Sequence, residues 1–190
     1  GGERGMTAMV VIGLVLLALA AWAVSAFNRL VRLRNQVKAG WSDIDVQLQR
    51  RHDLVPMLVE AVRAYAGHEQ SLFERVAALR AQAVATASPG RLAALEQALE
   101  HDLGRLLLLK EAYPELKASE NFLRLQQDLV DVEDHLQYAR RFYNGAVRAL
   151  NDGVQRFPDL LIANGFGFQA AEFFEAGAGA DAVPVVGLAQ

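Results

Sequence analysis

The residues best suited to chemistry are four histidines, His52, His68, His101 and His135, and the carboxylates around them. His68-Glu69 begins like the zinc motif H-E-x-x-H, but the second ligand would fall at Leu72, so the spacing fails. None of the four histidines has a glutamate three residues before it, which removes the Glu-x-x-His pattern of di-iron helical bundles. Asp43 and Asp45 are two apart and point to different faces of a helix, a poor arrangement for one metal ion. There is no glycine-rich phosphate loop and no G-x-S-x-G. The chain has no cysteine, which excludes disulfides, thiolate metal sites and cysteine nucleophiles. The expectation is therefore a protein that is not an enzyme, with no metal and no cofactor.

The other polar residues form stripes. Gln137, Arg141, Asn144, Arg148 and Asn151 follow a four-three spacing, displaced by one residue from an apolar series on the same segment, and Asp45, Gln49 and His52 share one face further upstream. The plain reading is two solvated helix faces. The sharper one is a polar seam, between long helices of the bundle or of neighbouring subunits, in which Asp43 and Asp45 face Arg141 and Arg148, which would fix register and partner choice more than stability. Trp41 occupies an apolar heptad position, so core packing is expected of it ahead of a lipid or partner contact.

These residues must be carried by helices. Phe122, Leu125, Leu129, Val132, Leu136, Ala139, Tyr143, Ala146 and Leu150 are spaced alternately by three and four, the 3.5-residue repeat of a packed seam. A helix from Ser119, a plausible cap, to Arg156 would be about 57 Å long. Leu30, Leu33, Val37, Trp41, Ile44, Leu48, Val55, Leu58, Val62 and Tyr65 show the same pattern near the amino terminus. Pro56 interrupts it and predicts a kink or short break. Ser88-Pro89-Gly90 predicts a turn in which Ser88 caps and Pro89 opens the next helix, and Pro114 ends the helix carrying Leu92, Leu95, Leu99, Leu103 and Leu106. No stretch has the period-2 alternation of a sheet. After Phe157-Pro158 the repeat stops. Residues 159 to 168 read as an irregular strap, 171 to 175 as one helical turn, and 169 to 190 as a flexible Gly/Ala-rich tail. Phe157, Phe166, Phe168, Phe173 and Phe174 are denser than a loop needs, and either fold back onto the bundle or dock a neighbouring copy.

Ala8 to Phe27 contains no charge in twenty residues, enough to cross about 30 Å of hydrocarbon as a helix. Ten of these residues are Val, Ile, Leu or Phe, which favours insertion by roughly 3 to 6 kcal/mol. A cleavable signal peptide is the competing reading, but the run is long for one, and Glu3 and Arg4 cancel in the preceding segment. Arg29, Arg32, Arg34 and Lys38 follow with no acid until Asp43, which places the amino terminus outside and everything from Asn28 onward in the cytoplasm. Of the chain's 19 basic and 22 acidic residues, 14 and 21 fall in residues 39 to 190, so this body is net −7 and has no basic patch for nucleic acid. The fold class is all-α: a short external segment over 1–7, a transmembrane helix over 8–27, an antiparallel bundle of long helices over 28–168 and the tail over 169–190.

The run from Arg34 through Gly40-Trp41-Ser42-Asp43-Ile44-Asp45 to Arg50-Arg51-His52-Asp53-Leu54-Val55-Pro56 closely resembles the signature of the LemA family. The likeness continues through Glu111 to Phe122, then Ala139-Arg140-Arg141-Phe142-Tyr143-Asn144, and ends at Phe157-Pro158. It implies one amino-terminal membrane helix, an exposed amino terminus and a cytoplasmic helical bundle in a bacterial inner-membrane protein. That family has no established enzymatic activity and includes members associated with magnetosome membranes. The resemblance marks Trp41, Asp43, Asp45, Arg50, Arg51, His52, Pro56, Arg140, Arg141, Tyr143, Asn144, Phe157 and Pro158 as motif or interaction candidates. Gly40 stands where alanine is usual, which loosens the helix before Trp41. The expected role is a membrane-anchored scaffold that self-associates and organises the bilayer. The alternative is a tethered adaptor presenting its bundle to a membrane peptidase or signalling protein. The expected partners are lipid, further copies of the chain and, on the adaptor reading, such a protein.

Overall fold

A computed structural model describes residues 2–176, which form six α-helices and, among the described residues, no strand. They are α1 (Gly2–Arg63), α2 (Gln70–Val84), α3 (Pro89–Leu108), α4 (Pro114–Lys117), α5 (Glu120–Gln155) and α6 (Asp159–Phe166), with a 3₁₀ turn at Leu109–Glu111. The segment 177–190, part of the expected tail, lies outside the described residues.

The caps anticipated from sequence are in place. Ser88 Oγ accepts from the Arg91 N–H with Pro89 at the first helical position of α3, and Ser119 Oγ accepts from the Phe122 N–H at the start of α5. Pro114 opens α4; α3 has already ended at Leu108 and passed into the 3₁₀ turn. The stretch after Pro158, expected as an irregular strap over 159–168, is instead the helix α6 over Asp159–Phe166. Asp159 occupies its first turn, and Gly167 closes it in the left-handed conformation at φ 69°. Residues 168 to 173 have no regular structure, so the helical turn expected at 171–175 is absent.

Contacts divide the chain into two units. One contains residues up to Lys38 together with Gly145–Ala171. Its core is Leu30, Leu150, Val154, Ala163 and Phe168, with Phe27, Val31, Leu33, Val37 and Ile162 packed around it. The apolar run of α1 also belongs here, and from Met6 to Leu19 its large side chains stand exposed.

The other unit contains Ala39–Asn144 and, among the described residues, 172–176. Its core joins Val55, Leu58 and Val62 of α1, Leu72, Phe73 and Val76 of α2, Leu99, Leu103 and Leu106 of α3, and Phe122, Leu125 and Leu129 of α5. All nine apolar seam residues predicted on α5 are buried, whereas Tyr65 lies beyond the end of α1, exposed, and Ala66 fills the core in its place. Gly40 does not interrupt α1. A Cβ there would lie 3.0 Å from the Tyr143 Cα, so glycine permits the close approach of α1 and α5.

Pro56 does not break α1 either. It has no N–H to offer the carbonyl four residues back, that of His52, and the Arg80 Nε of α2 donates to that oxygen at 2.6 Å instead. Pro56 itself is exposed. Arg80→Met should lower stability by about 1.5–3 kcal/mol, the range for a hydrogen bond from a charged donor. The loss should shrink in a Pro56→Ala background, where residue 56 regains an N–H for His52; denaturant titration of the four variants in detergent, followed by circular dichroism, measures this coupling.

Candidate functional site

The strongest departure from a plain apolar bundle is a charge cluster inside the second unit. In α1 the apolar series has a seven-residue gap between Leu48 and Val55, and Arg51 fills it, fully buried. In α3 the four-three series runs Leu92, Glu96, Leu99, Leu103 and Leu106, so the position assigned to Leu95 belongs to Glu96, which is also fully buried. Glu133 flanks the α5 seam between Val132 and Leu136. Arg51 Nη1 donates to Glu96 Oε2 at 2.8 Å, its Nη2 pairs with Glu133 Oε2, and His52 Nε2 lies 2.5 Å from Glu96 Oε1. Three helices are thus tied by one guanidinium.

The electrostatics follow from burial. Desolvation opposes the Arg51 charge, but Glu133 and Glu96 outweigh it and hold the guanidinium above its ordinary range. At Glu133 desolvation wins over the attraction of Arg51, with repulsion from Glu100 and Glu96 adding to it, and its carboxyl is pushed above the usual glutamate range. Arg51 Nε has no hydrogen-bond partner among the described residues. A buried pair of this kind specifies arrangement more than it stabilises, while removing one partner leaves an uncompensated charge in the interior.

His52 borders an open groove of about 530 Å³ beside α2, with Trp41, Asp45, Gln49, Asp53, Arg80 and Thr86 among its lining. The face predicted from Asp45, Gln49 and His52 is therefore one wall of a groove. An oriented imidazole backed by a carboxylate is half of an acid–base arrangement, which requires a nucleophile or substrate proton within reach. No serine, cysteine or lysine lines the groove among the described residues, and the Thr86 hydroxyl is committed to the Gln82 carbonyl at 2.7 Å. No group of three or more His, Asp or Glu side chains among the described residues is placed to hold a metal ion.

The polar stripe of α5 has a different use from the one expected. Asp43, Asp45, Arg141 and Arg148 are all exposed, and within the second unit no ion pair joins Asp43 or Asp45 to Arg141 among the described residues, so that part of the charged seam is not formed inside one chain. All four sit on faces turned to water. The asparagines of the stripe instead hold the chain that follows α6. In the second unit Asn144 Oδ1 accepts from the Phe174 N–H at 2.9 Å and its Nδ2 donates to the Phe174 carbonyl at 3.3 Å. In the first unit Asn151 makes the same pair with Ala171, at 2.8 and 3.0 Å. A primary amide offers one donor and one acceptor side by side, the pattern a backbone peptide presents across a β-ladder.

Around Phe174, which is fully buried, the second unit closes an aromatic cluster. Its ring lies 6.0 Å from Trp41, Trp41 lies 5.4 Å from Tyr143, and the Arg140 guanidinium stands 5.3 Å over the Phe174 ring. Tyr143 donates its hydroxyl to the Glu172 carbonyl at 2.8 Å, and burial, with the nearby Glu172 carboxylate, pushes its pKa up so that the donor is retained. Glu172 Oε1 in turn accepts from Ser88 Oγ and the Gly90 N–H, both at 3.0 Å, capping α3 with a carboxylate. Residues 171 to 174 are therefore held against the helices, and the expected flexible tail does not begin at 169.

Of the motif candidates, Trp41, Arg140, Tyr143 and Asn144 gather around this segment, while Arg51 and His52 form the charge cluster. Pro56 acts through His52 and Arg80; Asp43, Asp45, Arg50, Arg141 and Phe157 remain on the surface, and Pro158 precedes α6. Glu96, Glu133 and Glu172 were not anticipated. The glutamate within the α3 series marks Glu96, and the gap in the α1 series marks its partner Arg51, whereas no local signal marks Glu172, whose carboxylate partners are more than eighty residues away.

An all-helical bundle with interior charge pairing, joined to a long exposed apolar helix, defines a membrane-associated helical protein. The sequence profile of the LemA family matches residues 40–187, and the chain belongs to that family. Among curated relatives it is similar to the magnetosome proteins MamQ 1 and MamQ 2 of Paramagnetospirillum magneticum, each 26% identical over 193 residues, covering 88% of this chain and 71% of theirs. It is also similar to the magnetosome protein MamQ of Magnetospirillum gryphiswaldense, 24% identical over 200 residues, covering 92% of this chain and 73% of that protein.

Three expected outcomes follow from this geometry. Arg51→Met should cost about 3–5 kcal/mol, and the triple change Arg51→Met, Glu96→Leu, Glu133→Leu distinctly less, in denaturant titrations. Because the folded Glu133 carboxyl is raised, the folded state binds its proton more tightly. The stability advantage of the wild type over Glu133→Gln should accordingly decline as pH rises through the ordinary glutamate range, and level off above the folded value. Asn144→Asp keeps an acceptor but sets a carboxylate against the Phe174 carbonyl, so hydrogen exchange at Phe174 should quicken more than in Asn151→Asp, whose partner is Ala171.

Proposed function

We propose that this protein is a membrane-anchored, non-enzymatic scaffold that self-associates laterally and organises the bacterial inner membrane, with its amino terminus outside and its bundle in the cytoplasm. The observation that carries the reading is α1, whose apolar half is exposed over a length sufficient to span a bilayer while its other half supplies Arg51, Val55, Leu58 and Val62 to a core. Supporting the non-enzymatic part, Arg51, Glu96 and Glu133 are spent on one another, and the groove beside His52 offers no free nucleophile among the described residues.

Confinement to a plane raises effective concentration, so weak lateral contacts suffice for assembly. The heptad residues of α5 are already buried within the chain, which leaves association to other surfaces, among them the exposed Tyr138 and Phe142. That the relatives are named as magnetosome proteins favours a role at a membrane over a soluble one. The protein reconstituted into large nanodiscs should give particles of several copies by mass photometry, with copy number falling in Tyr138→Glu. Single copies at every loading would refute the scaffold and favour a tethered adaptor.

A further inference from the structure

The charge-free run of α1 ends at Phe27, and α6 is packed against that end. Phe27 meets Phe166 edge-on with ring centroids 4.9 Å apart, and Phe168 at 5.6 Å. Arg29, two residues beyond the run, pairs with Asp159 in the first turn of α6. Trp22 and Ala23 are half-buried and Ala26 is buried, whereas the run before them is exposed. α6 therefore sits at the level where apolar sequence gives way to Arg29, Arg32 and Arg34.

A short helix on the surface of a water-soluble core turns its apolar side inward and its polar side out. α6 buries Ala163 and half-buries Leu160 and Ile162, yet it also exposes Leu161 and Phe166, and Phe157 just before it is exposed at 73%. Its one charged residue, Asp159, is only 2% exposed and is spent on Arg29, so α6 presents no charge to its surroundings.

We propose that α6 is a second membrane contact: it lies in the boundary between headgroups and acyl chains, with Phe157, Leu161 and Phe166 in lipid and Arg32 and Arg34 at the level of the lipid phosphates. The occupant of this face is lipid and not another copy of the chain, because Phe166 is continuous, through Phe27, with a helix surface that is apolar all round. Basic side chains beside the apolar ones match an anionic leaflet. The inference rests on reading Ala8–Phe27 as a membrane span.

The absence of cysteine makes the test direct. The full chain, carrying a nitroxide on Phe157→Cys or Leu161→Cys, is reconstituted into phosphatidylcholine vesicles containing phosphatidylglycerol, with Val15→Cys as the span reference and Val84→Cys as the water reference. Power-saturation electron paramagnetic resonance then compares collision with oxygen, which partitions into lipid, against a nickel chelate, which does not. The expected result is oxygen in excess at 157 and 161, as at 15, with the chelate in excess at 84. Chelate in excess at 157 and 161 while 15 remains lipid-exposed overturns the α6 contact and leaves the anchor standing. Chelate in excess at 15 as well overturns both. Labels at 157 and 161 shielded from both reagents, with spin–spin broadening on full labelling, overturn the lipid contact in favour of a second copy.

Discussion

A single helix with two kinds of surface sets the terms for the rest of the chain. From Met6 to Leu19 α1 exposes large apolar side chains, and at Arg51 it buries a charge completely. Water favours neither arrangement: the first half presents apolar surface of the kind lipid would cover, as proposed above, and the second requires an interior furnished with carboxylates. Glu96 and Glu133 meet the second demand from two other helices, so the guanidinium sets the axial register of α1, α3 and α5 in that unit as a polar residue in a coiled-coil seam does. An all-apolar seam would slide by a heptad at smaller cost. A charged one cannot slide without parting Arg51 from its carboxylates.

The same economy governs the end of the described chain. Extended backbone has donors and acceptors that must be met, and here side-chain amides meet them. Asn144 and Asn151, seven residues and so two helical turns apart, each mimic a neighbouring strand. Glu172 adds a cap to α3, and Phe174 fills the space between Trp41 and Arg140. These are polar contacts that fix position, with one aromatic side chain supplying the burial.

Where periodicity alone decides, the sequence was readable: the α5 seam, both serine caps and the all-α class follow from spacing and propensity. Pro56 was legible as a disruption but not as a continuous helix, because the rescue comes from Arg80 on α2. The charge cluster was half visible. Arg51 stood among the motif candidates, but its role is apparent only once the gap between Leu48 and Val55 is read as a filled seam position. The polar stripe was visible but the partners of its asparagines were not, since spacing shows that residues share a face without showing what covers it; backbone covers Asn144 and Asn151, and among the described residues Arg141 and Arg148 are exposed. α6 was hidden by Asn164, Gly165 and Gly167, which resemble a loop, although Asp159 and Gly167 are the terminal signals of a short helix.

Membership of the LemA family places these devices in a protein whose relatives include magnetosome proteins, and the physical claim that gives them a common purpose is that α1 passes from lipid into a charged, water-bounded bundle. The most direct measurement is a cysteine scan along α1 in intact membranes, read by a water-soluble maleimide. Protection throughout Ala8–Phe27, followed from Asn28 by reaction only at the positions turned to solvent, is the predicted profile. Uniform reaction from Ala8 to Phe27 would contradict it.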